Sequence, residues 1–325
     1  MPVSGQKSVN SESPQRGLVI RFSKNLFIVR SGGRETECRI KGKILKNAED
    51  CYNPLAPGDI VEVEDGLILA LEKRRNSFSR FNQKGQAPQI LASNVDLVLI
   101  VSSPVSPPFR PRFLDRVLLQ ADIAGIPAAI VCNKYDLAGT GDSLDAEERL
   151  SDFERIGCPV FRLSALTGEG MDEFKRFISG KFSVLVGQSG VGKSSLVNAL
   201  IPELKMKTGL INEKFDRGNH TTTQSALLDI APIEESGPAT QIIDTPGIRR
   251  FVPFGIDAGE LIVYMREFAP LAGKCSYGLS CSHETEPGCK ILEAVDAGVI
   301  HEDRYTSFLR IREELTGKNK YSDND

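Results

Sequence analysis

Residues 181–200 read KFSVLVGQSGVGKSSLVNAL. An apolar, β-branched run from Phe182 to Val186 enters Gly187-x4-Gly192-Lys193-Ser194, after which Leu196, Val197 and Leu200 recur on one side of a helix. The spacing predicts a strand, a phosphate-binding loop and a helix. In such a loop the glycines let backbone N–H groups turn inward around a β-phosphate, and the helix N-terminus adds partial positive charge. Gly187, Gln188, Ser189, Gly190, Val191, Gly192, Lys193, Ser194 and Ser195 are therefore the candidate nucleotide-binding set. Lys193 would reach the β/γ oxygens, and Ser194 would offer its hydroxyl to Mg2+. A Gly-rich turn that matched by chance would lack the flanking strand and helix.

The chain has 325 residues, room for two or three domains, and its 40% hydrophobic content is enough to build their cores. The opening MPVSGQKSVNSESPQRG is polar and has no apolar h-region, and no later run approaches the length of a membrane span. A cytoplasmic protein is expected, with no membrane association and with residues 1–16 as a flexible tail. A net charge of −3 excludes a global basic field, so any nucleic-acid contact must come from local patches. Of seven cysteines, Cys38, Cys51, Cys132 and Cys158 stand alone, while the other three cluster near the C-terminus. That usage points to a metal rather than to disulfides.

Five short runs (GLVIRF, NLFIVRS, ETECRIKG, DIVEVE and LILALEK) lie between Gly17 and Lys73, separated by turn residues such as Gly32-Gly33 and Asp65-Gly66. They suit a small closed barrel of the OB kind over residues 17–76. Arg39, Lys41, Lys43 and Lys46 recur along one strand and its exit, followed by Lys73, Arg74, Arg75, Arg80 and Lys84. A row like this is either an RNA-binding face or a solvated surface, and both readings stay open. Residues 77–90 read as a linker.

Beyond it, ASNVDLVLIVSS is a buried strand, FRPRFLDRVLLQADIAGI a helical region, and IPAAIVCNKYDL a strand that ends in Asn133-Lys134-x-Asp136. A carboxylate at Asp136 can accept from the N1–H and the 2-amino group of guanine, whereas adenine would leave it unpaired. Asn133 would brace the loop, and Lys134 would lie along the base. A helix near Ala146–Ile156 and a strand at Pro159–Arg162 lead to Leu163-Ser164-Ala165-Leu166, where the Ala165 N–H is placed to donate to guanine O6. The helix MDEFKRFI then precedes the phosphate loop.

Downstream, the polar segment from Lys207 to Ser225 contains His220-Thr221-Thr222-Thr223, and a threonine here, taken as Thr222, would close over Mg2+ when a γ-phosphate is present. TQIIDTPGI is a strand ending in Asp244-Thr245-Pro246-Gly247. Asp244 would hold the magnesium shell, and the Gly247 N–H would sense the γ-phosphate. Further on, Cys275-x5-Cys281-x-His283-x5-Cys289 offers three thiolates and one imidazole, the closed set that a structural zinc prefers. Helical stretches are expected near Leu261–Leu271, Cys289–Ala297 and Glu302–Leu315.

Together these motifs resemble those of the translational GTPases with their order rearranged: NKYD and SAL precede GQSGVGKS, HTTT and DTPG. A circular permutation of this kind leaves sites at strand ends undisturbed. With a barrel before it and a Cys/His cluster after it, the pattern resembles the ribosome small subunit-dependent GTPase A family, RsgA, over nearly the whole span from Gly17 to about Arg312.

The resemblance implies an α/β fold: a circularly permuted P-loop GTPase domain over residues 91–254, preceded by the OB barrel and followed by a small helical zinc-binding domain over residues 255–325 with a flexible tail. It implies a monomer that hydrolyses GTP to GDP and phosphate in late maturation of the small ribosomal subunit, contacts its rRNA and is stimulated by it. Magnesium on Ser194 and Thr222, one zinc on the Cys/His set, and catalytic roles for Lys193, Thr222 and His220 complete the expectation. The residue after DTPG is Ile248, which cannot orient a water molecule as glutamine does in many GTPases. His220 is the candidate for that task, against the plainer reading of a loop histidine without a catalytic role. Since DTPG leads through IRRFVPF into the C-terminal region, a change at Gly247 can pull directly on the zinc domain. Two rival functions share parts of the pattern: a nucleotide-gated RNA-binding module in which hydrolysis serves release, and a P-loop ATPase or kinase. The NKYD and SAL pair speaks against the second.

Overall fold

The computed structural model describes residues 13–23, 25–42, 51–139, 143–204, 225–232 and 237–316. His220, Thr222, Lys43 and Lys46 lie outside the described residues.

The five N-terminal runs form strands β1 (Gln15–Ser23), β2 (Leu26–Ser31), β3 (Arg34–Ile40), β4 (Ile60–Glu64) and β5 (Leu67–Leu71). They close in the order β1-β2-β3-β5-β4 and back to β1, with only β3 and β5 parallel. Gly32 and Gly33 both have positive φ, as do Asp65 and Gly66. Positive φ at both loop positions produces the two-residue hairpin turns that match strand twist. Irregularities after Val19 and Glu62 bend the strands enough to close the wall. Alternating side chains, Val19, Phe27, Val29, Cys38, Val61 and Ile68 among them, fill the interior.

Residues 77–90 are not a linker. They form most of an antiparallel hairpin, β6 (Ser77–Asn82) with β7 (Ala87–Ser93). The polar turn around Lys84-Gly85 masks the strands in the sequence, but Phe78 is fully buried and stacks on Phe251 with ring centroids 5.8 Å apart. Phe251 in turn meets Phe113 edge-on at 6.4 Å. The Phe81 N–H donates to the Val252 carbonyl at 3.1 Å, so the hairpin is stitched to the segment that follows Gly247.

The nucleotide-binding fold comprises β8 (Leu97–Ser102), α1 (Pro111–Ile123), β9 (Ala128–Cys132), α2 (Ser143–Arg155), β10 (Val160–Arg162), α3 (Met171–Ile178), β11 (Phe182–Gly187), α4 (Lys193–Leu200), β12 (Ala226–Ile230) and β13 (Thr240–Asp244). Its strands run in the order β10-β9-β8-β11-β13-β12, all parallel apart from β12. Every residue of β8 and β9 is buried, the pattern of parallel strands covered on both faces. Leu114, Val117, Leu150 and Phe153 pack one face, and Met171, Phe174, Leu196 and Val197 the other. The chain moves outward from β8 to β10 and then returns to place β11 between β8 and β13. This reversal makes the carboxyl end of β11 a topological switch point, where such sheets bind ligands. Among the described residues, the Arg21–Ala226 strand bridge and the Arg30–Asp229 ion pair at 2.6 Å join the barrel to the sheet edge.

The C-terminal region contains α5 (Leu261–Tyr264), α6 (Lys290–Asp296) and α7 (Glu302–Leu315). The single helix expected near Leu261–Leu271 is instead four residues of α5 and a 3-10 turn at Ala269–Leu271. Met265 is extended, and Pro270 lacks the N–H needed to carry an α-helix onward. The region docks on α1. Arg304 is buried and donates to Asp115 at 2.7 Å and to Glu267 at 2.8 Å, while Arg116 meets Glu314 at 2.7 Å and Arg266 meets Asp122 at 2.8 Å. Burial alone would pull the Arg304 guanidinium down, but Asp115 and Glu267 reverse the direction and hold it charged.

Part of the basic row is spent inside the molecule. Arg74 forms two 2.7 Å contacts with the buried Asp59, Arg75 pairs with Asp96 at 2.7 Å, and Arg80 donates to Gln89 and to the Arg250 carbonyl. Arg39, Lys41, Lys73 and Lys84 remain exposed. No helix among the described residues is long and apolar enough to cross a membrane.

Candidate functional site

At the carboxyl end of β11 the loop turns at Gly190 and Gly192, with φ of +85° and +91°, and delivers Lys193 to the first position of α4. A Cβ on Gly192 would lie 2.3 Å from Asn133 Nδ2, so this glycine is required for close approach as well as for its dihedral. Lys193 is buried, and its ammonium donates to the carbonyls of Gly187 at 2.8 Å and Gln188 at 3.0 Å. Burial pulls its pKa down to about 8, opposed by the charge of Asp244. Asp244, at the end of β13, is pushed up to about 6 by burial, opposed by Lys193. Its Oδ1 is buried with no hydrogen-bond partner. An orphaned carboxylate oxygen at the end of β13, the strand paired with the one that leads to Lys193 and the half-buried Ser194, is a donor set suited to a hydrated magnesium ion.

The DTPG segment is strapped onto this loop. Thr245 donates through Oγ1 to the Leu185 carbonyl at 2.5 Å, and the Ile248 N–H donates to the Gly187 carbonyl at 3.1 Å. A Cβ on Gly247 would meet Ser189 Cα at 2.8 Å. The Ile248 side chain is buried in the core with Phe251.

The NKYD and SAL motifs close against the same phosphate loop. Asn133 is buried; its carboxamide donates to the carbonyls of Val191 and Gly192, each at 3.2 Å, and its Oδ1 accepts from the Ala165 N–H at 3.0 Å. Lys134 donates through Nζ to the Gly190 carbonyl at 2.6 Å and to the Ser106 carbonyl at 2.8 Å. Asp136 is exposed in a 3-10 turn, Tyr135–Leu137. Ser164 accepts from the N–H groups of Leu166 and Thr167 through its Oγ, which shapes the second loop. NKYD, SAL and the phosphate loop are thus in direct contact. The Ala165 N–H, expected to point at guanine O6, is given to Asn133, so any contact with the base shares that donor.

The C-terminal donor atoms of Cys275, Cys281, His283 and Cys289 all lie within 4.8 Å of one another, and all four residues are buried. Cys275 and Cys289 Sγ are 3.8 Å apart, and His283 Nδ1 lies 3.5 Å and 3.4 Å from them. Tetrahedral zinc with bonds of about 2.3 Å to sulfur and about 2.0–2.1 Å to nitrogen requires edges of about 3.8 Å and about 3.6 Å. Disulfides need about 2.05 Å. The Lys290 N–H donates to Cys275 Sγ at 3.3 Å, and the Tyr305 hydroxyl donates to the His283 carbonyl at 2.6 Å, so the set is held by its surroundings.

Sequence reasoning missed Ser106 and Glu147, which contact the NKYD loop at Lys134 and Tyr135, and Arg162, which holds Glu147. None belongs to a motif, and their partners lie 12 to 28 positions away, off any local repeat.

A parallel sheet with the phosphate loop at its switch point, and with NKYD and SAL on strands earlier in the chain, defines a circularly permuted P-loop GTPase. Residues 71–253 match the family described as RsgA GTPase. The chain is 36% identical over 306 residues to "Small ribosomal subunit biogenesis GTPase RsgA" of Phocaeicola vulgatus, covering 92% of this chain and 96% of that one. It is 37% identical over 309 residues to the Shewanella oneidensis protein of the same description, covering 91% and 82%. Among solved structures, YjeQ from Thermotoga maritima superposes with a TM-score of 0.70 at 30% identity, covering 94% of this chain and all of that one. YloQ, described as a circularly permuted GTPase, shares the fold with a TM-score of 0.64 at 24% identity, over 98% and 100%. The chain belongs to the RsgA GTPase family, and it is a GTP-hydrolysing P-loop enzyme.

Proposed function

We propose that this enzyme acts in the cytoplasm as a monomer in maturation of the small ribosomal subunit, and that contact with the subunit sets its rate of hydrolysis. The reading is supported by relatives whose names carry that role and which match this chain over 96% and 82% of their length. The observation that carries the chemistry is Asn133, which holds the base loop against the phosphate loop.

In this reading Asp136 selects guanine through N1–H and the 2-amino group, with Lys134 along the base and Ser164 and Ala165 shaping the opposite loop. The backbone from Gly187 to Ser195 surrounds the phosphates. Lys193, now on two loop carbonyls, swings to the β/γ oxygens. Magnesium, when bound, offsets the phosphate charge, with Ser194, Thr222 and Asp244 as the residues that hold it or its water. The Gly247 N–H reports the γ-phosphate. His220 positions the attacking water, because Ile248 is committed to the core and supplies no polar atom. Zinc on Cys275, Cys281, His283 and Cys289 is structural, since all four donors come from the chain and leave no open position. The barrel and the zinc domain contact rRNA, with Arg39, Lys41, Lys73 and Lys84 as the exposed cations available to it.

Phosphate release from GTP is measured for the protein alone, with small subunits and with large subunits. Stimulation by small subunits alone is expected, and equal rates in all three would overturn the proposal. Loss of that stimulation in His220→Ala is the corresponding test of the water-positioning role.

A further inference from the structure

Tyr135 occupies the unspecified position of Asn133-Lys134-x-Asp136, and its hydroxyl donates to Glu147 Oε2 at 2.5 Å. Glu147 lies early in α2 and also receives Arg162, through Nε at 3.0 and 3.1 Å and through Nη2 at 2.8 Å. Arg162 is the last residue of β10, two positions before Ser164, and is held on its other side by Glu154 at 2.7 Å. One carboxylate therefore ties the residue beside Asp136 to the strand that delivers the second base-reading loop.

The backbone explains why the loop needs such an anchor. Lys134, immediately before Tyr135, sits in the left-handed region with φ of +61°, a conformation that costs a non-glycine residue energy and persists only where surrounding contacts impose it. Asp136 itself is exposed in a single 3-10 turn, so its direction is inherited from its neighbours. Accepting two hydrogen bonds from guanine in one plane demands a carboxylate oriented to within about 10–20°.

We propose that Tyr135, Glu147 and Arg162 form a positioning set that orients Asp136 and so sets the guanine selectivity of the enzyme. The proposal rests on the reading of Asp136 as the base-selecting residue. Burial and the Glu147 contact both push the Tyr135 phenol up, to about 12, so it remains a donor across the working pH range.

The test uses the full-length protein and compares its affinities for GDP and inosine diphosphate, whose base keeps N1–H but lacks the 2-amino group. A displaced Asp136 loses the second contact first. Tyr135→Phe and, independently, Glu147→Gln are expected to lower the preference for GDP over inosine diphosphate by about fivefold to tenfold, somewhat less than the full value of one hydrogen bond to a charged group. A set that only stabilised the fold would lower the melting temperature and weaken both nucleotides equally. That outcome, with the preference unchanged in both variants while Asp136→Asn abolishes it, overturns the positioning role. If Asp136→Asn also leaves the preference intact, the base-selecting reading of Asp136 fails and the proposal falls with it.

Discussion

Asn133 Nδ2 donates to the Gly192 carbonyl at 3.2 Å, and the same glycine has no room for a side chain because a Cβ would lie 2.3 Å from that nitrogen. The loop that carries Asn133 and the phosphate loop, 59 positions apart, are thereby one unit. Asn133→Ala removes the bonds to Val191, Gly192 and Ala165 together and leaves buried backbone groups unpaired, each costing about 1–3 kcal/mol. GDP affinity measured by calorimetry is expected to fall at least about tenfold, with a lower melting temperature.

Lys193 carries a pH signature. Its pKa is pulled from the ordinary lysine value to about 8, chiefly by burial. Between about 8 and about 10.4 the unfolded chain holds a proton that the folded chain has released, so this group makes stability rise with pH through that window. Urea unfolding of the nucleotide-free protein and of Lys193→Met, at pH 7 and pH 9.5, should show the wild type gaining relative to the variant at the higher pH. A constant difference would contradict the depressed value.

Arg304 is the buried centre of the contact between α1 and the C-terminal region. Arg304→Met would leave Asp115 and Glu267 without their main cation, and removing one partner of a buried ion pair costs about 3–5 kcal/mol. Denaturant titration should register that loss, and hydrogen exchange should show weaker protection in α7.

Cys275→Ser tests the metal site. The purified protein should hold about one zinc per chain, and the variant well under half of that, measured by mass spectrometry. Because Cys275, Cys281 and Cys289 are part of the C-terminal core with Phe268 and Phe308, chelation of the metal should lower the melting temperature of this region. A metal-free protein with unchanged melting would remove the structural role.

What could be read without coordinates was the chemistry carried by neighbouring residues: the phosphate loop at 187–195, NKYD, SAL, DTPG, the Cys/His spacing, the five barrel strands and the permuted order that unites them. Such features are legible because a tight turn, a strand end or a metal loop draws its ligands from a few consecutive positions, and because side-chain periodicity is local. The three-dimensional arrangement alone decided that 77–90 is a hairpin sealed by Phe78 on Phe251, and that Arg74, Arg75 and Arg80 serve internal partners. It also decided that the Ala165 N–H belongs to Asn133, and that Asp115, Arg116 and Asp122 of α1 face charges from the far end of the chain. Those pairings join residues tens to nearly two hundred positions apart. Which charge meets which depends on how helices and strands pack, and no repeat or composition along the chain records it.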